Sequence, residues 1–192
     1  MAATNLAANQ TNMTEIFDFV GGGDGQWKVM SINPVIGESL EIVPFLNIKP
    51  GTQEKLAEGS WSLKGFRSNL RYAEKAEIEK LHTIQVDLGR PEATCAALIP
   101  ISKNAAWWAL AQDERRKIFE ADSKHTEIGL KYLPPIARKL YHSRDFNEPF
   151  DFLTWFEYAP AYVDFFEELV HRLRKTREWE FVEREVDIRL KK

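Results

Sequence analysis

Residues 150–158, Phe-Asp-Phe-Leu-Thr-Trp-Phe-Glu-Tyr, constrain the fold more than any other stretch of the chain. Side chains alternate across a strand with a period of two. Phe150, Phe152, Thr154, Phe156 and Tyr158 therefore share one face, and Asp151, Leu153, Trp155 and Glu157 share the other. A strand apolar on most of both faces must be covered on both sides. Phe181 to Leu190 alternates differently, with Val182, Val186, Ile188 and Leu190 set against Glu183, Glu185, Asp187 and Arg189. That pattern predicts a half-exposed strand. Between the two, Pro160 opens a helix in which Phe165, Leu169 and Leu173 share a stripe with Phe166 and Val170. Such an order suits an antiparallel sheet with helices on one face, an α+β arrangement.

Upstream, strands are predicted at Glu15–Val20, Trp27–Ile32, Leu40–Ile48, Trp61–Tyr72, Thr83–Leu88 and Thr94–Ile101. The cluster Gly21-Gly22-Gly23-Asp24-Gly25 reads as a flexible turn. Helices are predicted over Asn104–Leu110 and Asp113–Ala121, the last with Asp113 as N-cap, and Ala73–Leu81 reads as a short helix or a bend before the next strand. A further helix is predicted over Pro135–Phe146, with Pro135 in its first turn and Ile136, Leu140 and Tyr141 on its apolar face.

Composition narrows the class. A chain of 192 residues is long enough to bury a core without staples. Its net charge of −3 lacks the basic excess of a nucleic-acid binder. A single cysteine, Cys95, excludes an intramolecular disulfide framework and suggests a reducing compartment. It sits in an apolar strand, where a buried, inert thiol is expected. No Lys or Arg precedes Lys28 and no apolar run resembles a secretory signal. No apolar stretch approaches the ~20 residues of a membrane span. The expectation is a soluble cytoplasmic protein with no membrane and no nucleic-acid partner. Six Trp, five Tyr and twelve Phe can fill a core or line a pocket for a flat apolar ligand.

Few residues suggest chemistry. His82, His125, His142 and His171 show no zinc spacing, and the chain has no Cys–His cluster. Nucleotide-binding glycine loops and a Gly-x-Ser-x-Gly nucleophile elbow are absent. There remains one histidine in a segment of unusual texture, Ser123 to Pro135, followed by Arg138. A lone histidine is more often structural than a ligand, Arg138 could lie on a solvated helix face, and Trp107-Trp108 could be plain core. Equally, one histidine suffices to hold a pentacoordinate b-type haem. The residues alone leave both readings open.

The run His-Thr-Glu-Ile-Gly-Leu-Lys-Tyr-Leu at 125–133 resembles the ligand segment of the chlorite dismutase family. The resemblance continues through Ile-Ala-Arg-Lys-Leu-Tyr-His-Ser-Arg-Asp at 136–145, Phe-Asp-Phe-Leu-Thr-Trp-Phe-Glu-Tyr-Ala-Pro at 150–160 and Leu-Arg-Lys-Thr-Arg-Glu-Trp-Glu-Phe-Val at 173–182. Trp-Ser-Leu-Lys-Gly-Phe-Arg at 61–67 and Lys103 to Trp108 also look like family positions. The resemblance implies a ferredoxin-like dimeric α+β barrel, with antiparallel sheets and helices on the outer face. It implies a truncated N-terminal ferredoxin-like part over 1–72 and a haem-binding ferredoxin-like domain over 73–192. The compact length is similar to the short lineage of the family, which tends to form homodimers.

By resemblance, His125 matches the axial ligand of a noncovalent haem b, one per subunit, and Glu178 the carboxylate on its other nitrogen. Lys103 matches a lysine in the same network, Trp107 and Trp108 a pair beside the haem, and Tyr72 a tyrosine reaching a propionate. Arg138 matches the flexible distal arginine, and Gln85 the glutamine that hydrogen-bonds it. The implied reaction turns chlorite into chloride and dioxygen by way of ferryl and hypochlorite intermediates. Coproheme decarboxylation, weak peroxidation and haem binding without turnover are the competing readings.

Overall fold

The computed structural model describes residues 15–52, 59–67 and 86–192. Four strands come first: β1 (Ile16–Gly22), β2 (Trp27–Ile36), β3 (Phe45–Pro50) and β4 (Trp61–Arg67). Four more follow: β5 (Cys95–Lys103), β6 (Ala137–His142), β7 (Phe152–Tyr158) and β8 (Val182–Lys191). Helices α1 (Ala105–Ala109), α2 (Gln112–Arg116) and α3 (His125–Leu130) link β5 to β6, and α4 (Val163–Leu173) links β7 to β8.

The strands close one barrel in the order β1-β3-β2-β8-β5-β7-β6-β4, and every pairing is antiparallel. Within each set of four, the fourth strand lies beside the first, then the third, then the second. That is the split βαβ order of a ferredoxin-like unit, present twice. Closure through β2–β8 and β4–β6 leaves no free sheet edge. The boundary expected at residue 72 lies outside the described residues, and strands from both sides of it share the barrel.

The double-sided texture of β7 has a simple cause. Leu153 and Trp155 point into the barrel with Phe19, Trp27, Leu46, Leu98, Tyr141 and Ile188. Trp155 meets Trp27 edge-on at 5.4 Å between ring centroids. Phe156 and Tyr158 point outward, where Phe166, Leu169, Val170 and Leu173 of α4 cover them. Burying each of those α4 side chains contributes about 1.5–3 kcal/mol relative to exposure. Cys95 is buried in this outer layer, as expected.

The glycine cluster does more than turn. β1 and β2 run in the same direction on either side of β3, pairing with Phe45 and Leu46 at the same end of it. The link between them therefore crosses β3, and a Cβ on Gly25 would lie 2.9 Å from the Leu46 carbonyl carbon. Only glycine permits so close a crossing.

Four expectations need correction. β8 is not half-exposed: Glu185 and Asp187 on its polar face are buried, because Arg174 and Arg189 pair with them there. Residues 135–146 do not form a helix: 137–142 are β6, paired to β7 along its length and to β4 at Phe66 and Arg67. Ala, Arg, Lys and Leu favour a helix locally, but closing the barrel on two sides outweighs that preference. Asp113 is not an N-cap; Ala111 is, and its N–H donates to the Glu114 carboxylate at 2.8 Å. Residues 86–88 are not strand, and 83–85 lie outside the described residues. The helix expected over 73–81 and the strand beyond Arg67 also fall outside them.

Candidate functional site

β5 delivers Lys103 to the edge of the outer layer, beside a bulge in its pairing with β8. Its N–H donates to Asp151 Oδ2 at 2.7 Å. Asn104 then caps α1 by accepting from the Trp107 N–H at 3.0 Å, which sets both tryptophans beside Lys103. The Trp108 indole donates to the Lys103 carbonyl at 3.2 Å and to Asp151 Oδ2 at 3.3 Å, with the Arg144 guanidinium 3.8 Å over its ring. Trp107 is buried, and its ring lies 4.6 Å from Lys103 Nζ.

His125 begins α3 after two departures from regular backbone. Lys117–Asp122 form a π-helical turn, a feature that recurs at functional sites, and Lys124 takes a left-handed conformation at φ 51°. From the π turn, Phe119 stacks on the His125 ring at 4.2 Å and 21°, which fixes the plane of the imidazole. Glu178 arrives from the 3₁₀ turn Arg177–Phe181 that follows α4. The buried Ser123 hydroxyl accepts its N–H at 2.9 Å.

These elements meet at one carboxylate. Glu178 Oε2 lies 2.7 Å from His125 Nδ1, and Oε1 accepts from Lys103 Nζ at 2.8 Å. Lys103 also donates to the Glu178 carbonyl at 3.2 Å. The Lys103 and Glu178 side chains are 1% and 5% exposed, so both charges are out of water. Burial pushes the Glu178 carboxyl up, but His125 and then Lys103 overcome it and hold it down at about 2. Burial likewise lowers the Lys103 ammonium, and Glu178 opposes the shift. An ionised Glu178 can only accept, so the proton in this contact sits on His125 Nδ1, and Nε2 is the ring nitrogen left to face another ligand.

The sign of the acid response follows. A carboxyl lowered from 4.5 to about 2 adds stability that is present above pH about 4.5 and lost as pH falls toward about 2. Asp187, which burial would raise but Arg189 and Arg174 hold low, acts in the same direction. The urea midpoint of the full chain should therefore fall steadily below pH about 4.5. A midpoint unchanged between pH 5 and pH 3 would contradict it.

Arg138 comes from β6, on the sheet face opposite to Tyr141, which points into the barrel. Its guanidinium lies against Gly129, where an added Cβ would sit 2.8 Å from one terminal nitrogen. Gly129 is one turn beyond His125 on α3, so the two share a helix face. Arg138 thus stands between the sheet and the helix that carries His125. It is half-buried; desolvation lowers its guanidinium, Glu120 opposes this, and an arginine stays cationic at any ordinary pH. Tyr72 and Gln85 lie outside the described residues.

Among the described residues no three His, Cys, Asp or Glu side chains gather to hold a metal ion. One imidazole with a free Nε2 and a carboxylate on Nδ1 fits a metal that draws its other ligands from a macrocycle, as haem iron does.

The family model for chlorite dismutase matches residues 3–190. The chain belongs to the chlorite dismutase family. A dimeric chlorite dismutase from Nitrobacter winogradskyi is similar over 92% of this chain and 99% of its own, with 56% identity and a TM-score of 0.86. A chlorite dismutase from Candidatus Nitrospira defluvii, solved in complex with imidazole, is 28% identical over 69% of this chain and 55% of its own, with a TM-score of 0.57. The Ideonella dechloratans chlorite dismutase is 44% identical over 62 residues, so the matched stretch spans 20% of that protein.

In this member of the chlorite dismutase family, Lys103, Trp107, Trp108, His125 and Glu178 form one contiguous network, with Arg138 beside α3. Sequence reasoning missed Phe119, Ser123, Asp151 and Trp179. Asp151 left a trace, since a carboxylate amid Phe150, Phe152 and Leu153 needs donors. Phe119 left none, because only the π turn brings it onto His125.

Proposed function

We propose that this chain binds haem b noncovalently through His125 and converts chlorite to chloride and dioxygen. The carrying observation is the His125 Nδ1–Glu178 contact at 2.7 Å, which occupies one ring nitrogen and supports Nε2 as the one that would hold the haem iron. When bound, haem would supply redox-active iron able to take a small anion. Glu178 holds the His125 ring and its proton, and Lys103 holds Glu178. Trp107 and Trp108 wall the helical side, one over Lys103 and the other anchored on Asp151. Arg138, cationic with a planar fork of donors, draws in the chlorite anion and retains the chlorine–oxygen fragment until dioxygen forms. The two oxygens and the chlorine of chlorite account for both products, so no outside reductant is required.

Imidazole, the ligand of the Nitrospira structure, is the kind of small base that ferric haem iron takes. The Nitrobacter relative is dimeric, and we infer a homodimer here too.

A haem-loaded sample in a Clark-type oxygen cell tests the proposal. Oxygen release should match added chlorite mole for mole. Bound haem without oxygen would leave His125 as ligand and move the activity to another haem reaction, such as coproheme decarboxylation or peroxidation. A chain that takes up no haem would remove the proposal altogether.

A further inference from the structure

Glu185 is fully buried on the face of β8 under the outer layer, a costly place for a carboxylate unless donors surround it. It has them. Arg174, just past the end of α4, donates to Oε1 through Nε at 2.8 Å, and the Trp179 indole donates to Oε2 at 2.8 Å. Arg174 also bonds Asp187 at 2.8 Å, so it stays anchored from two sides. Pinning α4 to β8 explains the arginine. It does not explain why the second oxygen holds Trp179, the residue next to Glu178.

The Trp179 ring faces Lys103 Nζ at 5.5 Å, and the ring of Trp107 lies closer, at 4.6 Å. Two of the three ammonium protons go to Glu178, one to its carboxylate and one to its carbonyl. Both aromatic rings lie within cation–π range of the same ammonium group, whose side chain is 1% exposed. We infer that Trp179 is a positioning residue for the site: tethered by Glu185 and Arg174, it keeps water off the Lys103–Glu178 contact and so holds the carboxylate in place on His125. Its consequence for catalysis rests on the haem reading of His125; its geometry does not.

Trp179→Phe removes the tethering N–H, keeps an aromatic ring and leaves the Glu185–Arg174 pair intact. In the full chain, the His125 Nδ1 proton should exchange with solvent about tenfold faster than in the wild type. Leu46→Ala opens a cavity in the barrel interior, in a different core cluster, and serves as the control for lost stability. It should leave that exchange rate unchanged. Glu185→Gln, which retains an acceptor for the indole, should fall between Trp179→Phe and the wild type. Exchange in Trp179→Phe as slow as in the wild type, or Leu46→Ala speeding it equally, overturns the role. Haem uptake by the wild-type chain is followed in parallel. Its failure would reject the functional reading while leaving the exchange comparison decisive for Trp179.

Discussion

His125→Ala should give a folded chain that no longer holds haem. Losing a partner on the far side of a metal ligand typically costs about 10–100-fold in metal affinity, so losing the ligand itself should exceed that range. No other described histidine can stand in. His142 stacks on Phe66 at the β4–β6 contact, and His171 is exposed on α4. The fold should survive because Glu178 Oε1 keeps the Lys103 ammonium, so its charge is not left unpaired. The stability cost is then that of a lost charge-assisted hydrogen bond, about 1.5–3 kcal/mol. Titration of the chain with ferric haem, read by absorption, measures the loss. Added imidazole should restore the spectrum by filling the space the side chain leaves. A variant that kept the wild-type spectrum at wild-type affinity would show that His125 is not the ligand.

β7 and β8 were legible as strands because their texture is local, although the burial of Glu185 and Asp187 on the polar face of β8 was not. Phe150 to Tyr158 and Phe181 to Leu190 announce themselves by alternation, and the stripe on α4 by its helical spacing. β6 was not legible, because its strand character comes from its neighbours β7 and β4 rather than from Ala, Arg, Lys and Leu. That misreading matters for the site. On a helix, Arg138 falls beside Lys139 on a surface; on a strand, it points away from the barrel interior, toward α3 and Gly129. The His125–Glu178 pair was visible through family resemblance and invisible to local spacing, since 53 residues separate the partners. Only the fold, which returns the chain after α4 to the start of α3, brings them together. Lys103 is the converse case: sequence places it between a strand and a helix, and the structure shows why a buried ammonium is tolerable there.

Arg138→Ala should keep haem and lose turnover. His125 and Glu178 do not depend on Arg138, so the absorption of the loaded protein should be unchanged apart from effects at the open axial position. Removing one donor preorganised toward a reacting anion typically costs about 100- to 1,000-fold in kcat. A second effect separates retention from steering. If Arg138 holds the chlorine–oxygen fragment, its loss lets that oxidant escape, and the alanine variant should release less oxygen in total before it bleaches. Steering alone would raise KM and leave the yield per molecule intact. Arg138→Lys keeps the charge and loses the planar fork, so it should recover attraction of the anion more fully than retention of the fragment. Raising ionic strength should weaken capture of chlorite by the wild type and the lysine variant, with little effect on the alanine variant. Initial oxygen-release rates give kcat and KM, and total oxygen per haem gives the lifetime. An alanine variant with wild-type values for both would remove Arg138 from the reaction and leave its place between β6 and α3 a matter of packing.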